Sequence, residues 1–155
     1  MDAREFTDRV VACEEKLFRI AYLTLGGYAR CEDAVQEALA KAWAGRNALR
    51  NPAYFETWLV RVLINECRNL QRRSRPAAKL PENYAPAEPP DPGLRDALGA
   101  LAEKYRTPLL LRYVAGYSVA ETAKILRVTA GVVKWRLEHA TREPRKTLSE
   151  GEGST

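Results

Sequence analysis

Residues 117–140 read YSVAETAKILRVTAGVVKWRLEHA, and this stretch decides the architecture. Ser118 can cap a first helix, and Glu121, three residues on, completes a capping box. Val119, Ala123 and Leu126 recur at helical spacing and are expected to face inward. Arg127 and Val128 make a corner. Thr129 caps a second helix, in which Val133, Leu137 and Ala140 continue the buried stripe while Lys134, Trp135, Arg136 and Glu138 point outward. Two helices, a short turn and a basic outer face on the second describe a helix-turn-helix, a motif whose second helix enters the major groove of duplex DNA. The competing reading is a plain helical hairpin with a solvated charged face.

Around this motif the chain is 155 residues long, enough for one or two small domains. It is 46% hydrophobic with a net charge of +5, a balance that suits a polyanionic partner without identifying one. Cys13, Cys31 and Cys67 are odd in number, far apart and set in helical patterns, so buried thiols in a reducing compartment are expected rather than disulfides or a zinc site. The N-terminal MDAREFTDRVV lacks the pattern of a signal peptide, and no stretch approaches the roughly 20 apolar residues of a membrane span. A soluble, cytoplasmic protein without membrane insertion is expected.

Upstream of the motif, Leu94, Ala97, Leu98 and Leu101 suggest a short helix, and Glu103 to Val114 another, closed by Gly116. Pro108 requires that this helix begin near Thr107 or be kinked. Downstream, Pro144 ends or kinks the last helix, and the tail SEGEGST is expected to be disordered. Residues 74–93, SRPAAKLPENYAPAEPPDPG, are too rich in proline for regular helix and read as an extended linker with an acidic middle.

The N-terminal part is helical throughout. Phe6, Val10, Cys13, Leu17 and Ala21 define a long amphipathic helix that stops at Gly26-Gly27. A second helix covers about Cys31 to Trp43, with Val35, Ala38, Leu39 and Ala42 inward and Asp33, Gln36, Glu37 and Lys41 on its other side. Glu32 and Asp33 near its start suit the helix dipole. Gln36 and Glu37 do not, and they mark either a solvated face or a docking surface for a basic partner. After the loop GRNALRNP, a third helix runs from about Ala53 to Arg73 with Phe55, Leu59, Val62, Leu63 and Leu70 buried. Its opposite side carries Tyr54, Trp58, Arg61, Asn65, Arg68 and Arg72 in alternating steps of four and three. Aromatic rings stack on unpaired bases, arginines neutralise phosphates and asparagine reads base edges; alternatively, Tyr54 and Trp58 belong to the core and the arginines to a solvated face.

Nothing here points to catalysis. No glycine-rich phosphate loop and no metal-ligand spacing appears. The single histidine, His139, lies on the second helix of the motif. Glu32, Asp33 and Glu37 share one helix, which rarely supplies enough ligands for a divalent ion. No enzyme, cofactor or metal is expected.

The strings EDAVQEALAKAW, YFETWLVRVLINECRNLQRR, LAEKYRTPLLLRYVAGYSVAETAKIL and GVVKWRL, in this order and around a proline-rich linker, resemble bacterial RNA polymerase sigma factors of the extracytoplasmic-function group. The resemblance spans about Phe6 to Leu148. It implies an all-α fold of two small helical domains: region two at 1–73, a flexible linker at 74–93, region four at 94–148 and a tail at 149–155. It implies that Asp33, Gln36, Glu37 and Lys41 dock on the clamp helices of core RNA polymerase. Tyr54, Trp58, Arg61, Asn65, Arg68, Asn69 and Arg72 would open and read the minus-ten element of promoter DNA, with residues 49–53 helping to form a pocket for a flipped base. The linker would run through the polymerase channels. Arg127, Thr129, Val132, Lys134, Trp135, Arg136 and His139 would face the minus-thirty-five element, and an anti-sigma factor is a possible further partner. The second helix departs from the family pattern at Ala130, Val132, Trp135 and Glu138, and Thr122 stands where the family places a branched apolar residue. A stand-alone helix-turn-helix regulator, and a sigma-like protein with weakened minus-thirty-five recognition, therefore stay open beside the main reading.

Overall fold

The computed structural model describes residues 1–73 and 92–140. The linker, Pro144 and the C-terminal tail, on which several expectations fall, lie outside the described residues. Those described form seven helices and no strand, and the chain divides into two compact units, Met1–Pro90 and Asp91–Thr155.

In the first unit α1 (Ala3–Leu25) starts at Asp2, whose carboxylate accepts a 2.8 Å hydrogen bond from the Glu5 N–H. It ends at Gly26, where a left-handed φ of 77° lets the Gly26 N–H bond back to the Tyr22 carbonyl. α2 (Tyr28–Ala44) and α3 (Phe55–Arg73) complete a three-helix unit in which each helix packs on the other two. Leu17, Ile20, Leu23, Val35, Leu59, Val60 and Leu63 fill its centre with almost no exposure; each such side chain contributes about 2 kcal/mol when taken out of water. Cys13, Cys31 and Cys67 are buried and form no disulfide among the described residues. Burial, followed by the Glu56 carboxylate, pushes the Cys13 thiol up to about 11, so it stays protonated at neutral pH.

The inward stripes differ from the expected ones in detail. Leu39, Val62 and Leu70 are only half-buried, whereas Val60, Ile64 and Cys67 are buried. α2 begins at Tyr28, three residues before its expected start, so Glu32 and Asp33 lie beyond the first turn and the dipole argument for them fails. α3 begins at Phe55; the residues before it, Pro52–Tyr54, form a 3-10 turn capped by Asn51.

In the second unit α4 (Pro92–Gly99) precedes α5 (Glu103–Leu109), which runs on as a π-turn over Leu110–Val114. Leu98 and Leu101 are buried, but Ala97 is exposed, against expectation. Pro108 sits inside α5, so the helix neither begins at Thr107 nor breaks. The irregularity comes after the proline, where the Ala115 N–H reaches five residues back to the Leu110 carbonyl at 2.9 Å. Gly116, with φ 81°, then turns the chain. α6 (Val119–Leu126) and α7 (residues 130–140) form the helix-turn-helix. Ala123, Val133 and Leu137 form its core, with Leu109, Val119 and Val128 packed against them.

Candidate nucleic-acid interface

The corner of the helix-turn-helix is built by backbone chemistry. The Glu121 N–H donates to Ser118 Oγ and the Ser118 N–H donates to Glu121 Oε1, both at 3.0 Å, so the expected capping box is present. At the other end of α6, Arg127 takes a left-handed φ of 56°, and the Val128 N–H reaches the Ala123 carbonyl at 3.1 Å. The Val132 N–H then donates to Thr129 Oγ1 at 3.2 Å, capping α7 as expected. Thr122 and Ile125 are buried, while Leu126, expected inside, is half-buried. The Thr122 hydroxyl is fully enclosed without a hydrogen-bond partner among the described residues.

On α7, Lys134, Trp135 and Glu138 are exposed, as expected, but Arg136 is half-buried, as are Val132 and His139. Arg127 and Thr129 are exposed at the corner. Trp135 stacks on His139 with ring centroids 3.8 Å apart and planes inclined by 24°, and it lies 6.4 Å from the Tyr105 ring of α5.

In the first unit, Asp33, Gln36, Glu37 and Lys41 all lie exposed on α2. The Gln36 amide donates to Glu32 at 3.3 Å. Lys41 is drawn sideways into an ion pair with Glu66 of α3, a carboxylate only 4% exposed, to which the Asn69 amide also donates at 3.4 Å. Two residues expected to touch a partner thus also hold a buried charge, since a carboxylate removed from water requires a cation and hydrogen bonds.

The aromatic end of the α3 face separates into two roles. Tyr54, in the 3-10 turn rather than on α3, is 47% exposed. Trp58 is half-buried against Phe55, with centroids 6.0 Å apart, and against Gly45. Phe6, Trp43 and Phe55 continue this cluster in edge-to-face contacts of 5.2 and 5.6 Å. Further along α3, Asn65 and Arg72 are exposed, and Arg61, Arg68 and Asn69 half-buried. The loop between α2 and α3 is strapped to the N-terminal segment at both ends. Arg46 stacks over Trp43 at 3.6 Å and donates to the Met1 carbonyl at 3.1 Å, and Arg9 donates to the Pro52 carbonyl at 3.0 Å. Sequence reasoning missed both arginines, because neither belongs to a periodic pattern on its own element.

Among the described residues, a three-helix unit with an acid-amide face and a basic face is followed by a helix-turn-helix unit, an all-helical, two-unit architecture. The family profile for Sigma-70 region 2 matches residues 10–76, and that for Sigma-70 region 4 matches residues 93–142. The chain is 33% identical over 147 residues to the ECF RNA polymerase sigma factor SigL of Mycobacterium tuberculosis, covering 86% of this chain and 83% of that one. It is 27% identical over 169 residues to SigW of Bacillus subtilis, covering 95% and 90%. Among solved structures, CnrH in complex with the cytosolic domain of CnrY is similar with a TM-score of 0.75 at 23% identity, over 96% of this chain and 90% of that one. The sigma factor RpoE in complex with the anti-sigma factor NepR from Bartonella quintana gives 0.74 at 23%, over 95% and 98%. The chain belongs to the extracytoplasmic-function group of RNA polymerase sigma factors. The matched families are those of transcription initiation factors, not of enzymes, and among the described residues no helix is long and apolar enough to cross a membrane.

Proposed function

We propose that the protein binds core RNA polymerase through the α2 face, directs it to a subset of promoters, and stabilises strand opening at the minus-ten element through α3 and the loop before it. Region two, the linker and region four occupy residues 1–73, 74–93 and 94–148, and α7 reads the minus-thirty-five element. The chemistry of transcription belongs to the polymerase, in the cytoplasm. The observation that carries this reading is the presence, within one three-helix unit, of two polar faces of opposite character. Asp33, Gln36 and Glu37 offer carboxylates and an amide to a basic surface. Arg61, Asn65, Arg68 and Arg72 offer cations and an amide to a nucleic acid strand. A regulator that bound duplex DNA alone would need neither face. Extruding a base costs a few kcal/mol, and exposed Tyr54 together with the arginines supplies stacking and phosphate contacts to offset it.

An anti-sigma protein belongs to the same reading. Its support is that the structurally similar RpoE was solved with its anti-sigma factor NepR.

Run-off transcription with core polymerase, the purified protein and a library of promoter fragments tests the proposal. Specific transcripts that depend on the protein are expected, and their start sites would give both promoter elements. Core binding without transcripts would reduce the protein to a sigma-like factor with impaired recognition. Absence of core binding would leave the duplex-DNA regulator.

A further inference from the structure

The outward face of α7 is organised around one residue. At about 100° per residue, Trp135 lies opposite the buried stripe of Val133, Leu137 and Ala140, and Lys134 and Arg136 flank it on either side. A helix lying in a major groove presents its central outward side chain to the base edges and its flanking side chains to the phosphates of the two strands. The residue in the central place here is a large apolar plane that is 50% exposed. It is also braced. His139 stacks on it at 3.8 Å, and Tyr105, itself only 8% exposed, adds a ring 6.4 Å away. His139 Nδ1 lies 2.9 Å from the Trp135 carbonyl. A carbonyl only accepts, so Nδ1 carries the proton and donates, which fixes the imidazole plane against the indole. Gly131, one turn earlier on the same side, adds no side chain that would compete with the indole for the groove.

An indole face offers only a weak π contact to the amino groups of cytosine and adenine and no donor to the oxygen of guanine, so covering those edges with it costs most of their hydration. The group in the major groove that gains from an apolar cover is the 5-methyl of thymine. We infer that Trp135, braced by His139, is a specificity-determining residue of the upstream promoter element and selects thymine by covering its methyl group. The inference rests on the proposal that α7 reads the minus-thirty-five element.

The test uses holoenzyme assembled from core polymerase and the full chain, with duplex promoters randomised upstream. Wild type is expected to enrich thymine at one upstream position by about fourfold, the worth of one buried methyl. Trp135→Ser levels that position and keeps the others, whereas Lys134→Ala weakens binding evenly across sequences. Replacing the selected thymine by deoxyuridine, which lacks only the methyl, lowers wild-type affinity by the same factor and leaves Trp135→Ser unchanged; this arm needs no folding control on the wild-type side. An upstream element read identically by wild type and Trp135→Ser, and indifferent to deoxyuridine, overturns the inference while the minus-thirty-five reading stands. Absence of any upstream preference overturns both.

Discussion

The two units are held in shape by polar contacts of different reach. In the first, Arg9 crosses 43 residues to the Pro52 carbonyl, Arg46 crosses 45 to Met1, and Lys41 crosses 25 to Glu66. In the second, the corner between α6 and α7 is made by contacts between near neighbours, with Ser118 and Glu121, like Thr129 and Val132, three residues apart. The first unit therefore positions its proposed DNA loop by tertiary structure, and the second positions its reading helix by local sequence. The difference also separates residues with one job from residues with two. Lys41, Asn69 and Trp58 each carry a packing or charge-balancing role beside the one proposed for them, while Glu37 and Lys134 are exposed without such a visible duty and exposed Gln36 bonds Glu32 one turn back on its own helix.

Substitutions can break or sharpen this contrast. The largest effect is expected from Trp58→Ala, which opens the aromatic cluster of Phe6, Trp43 and Phe55. It should cost about 2 to 3 kcal/mol in denaturant unfolding and impair promoter opening at the same time. Lys41→Ala comes next. It leaves the buried Glu66 carboxylate with Asn69 alone and should cost about 2 kcal/mol, so any loss of polymerase binding must be read against lost stability. Gln36→Ala with Glu37→Ala should weaken polymerase binding with the unfolding midpoint unchanged; unaltered affinity would remove the docking role. Arg61→Ala should slow promoter opening by roughly tenfold, the worth of one charge-assisted contact, with less effect on polymerase binding. Equal losses in permanganate footprinting and in binding would count against its place on the DNA. In the second unit Thr122→Val removes an orphaned buried hydroxyl and should stabilise by about 1 kcal/mol. The smallest effect is expected from Arg127→Gly, which relieves a left-handed arginine and should raise stability by about 0.5 kcal/mol, seen as a small upward shift in Tm.

The same contrast explains what the sequence disclosed. The capping box at Ser118 and Glu121, the Thr129 cap and the glycine stop at Gly26 were legible because each is a rule about residues a few positions apart. The exposed faces of α2 and α7 were legible from helical periodicity. Arg9 and Arg46 were not, since nothing in their own neighbourhoods says which carbonyl they will meet. Stripe assignments failed at single positions, Leu39 and Val62 inside long helices as well as Leu70 and Leu126 near helix ends and Ala97 in the short α4. In α6, Ala123 and Val119 pack with Val133 and Leu137 of α7 as expected, Leu126 at the end of the helix is half-buried, and Thr122 and Ile125 are buried beside the stripe. Arg136 falls outside the periodic stripe of Val133, Leu137 and Ala140 and so is expected outward, yet its position on the flank of α7 leaves it half-buried. Trp135 stood out in the sequence as an outward residue that departs from the family pattern; its brace of His139 and Tyr105 comes partly from another helix and is visible only in three dimensions.

The corner between α6 and α7 has a consequence for how the chain acquires its structure. Bonds that close over three to five residues cost little loop entropy, and helix hairpins joined by such contacts form on the microsecond scale. The straps of the first unit must wait until α1, the loop and α3 have met. In refolding followed by pulsed hydrogen exchange, amides of residues 118–133 should gain protection first, and the loop that is proposed to meet melted DNA should be the last part of its unit to settle.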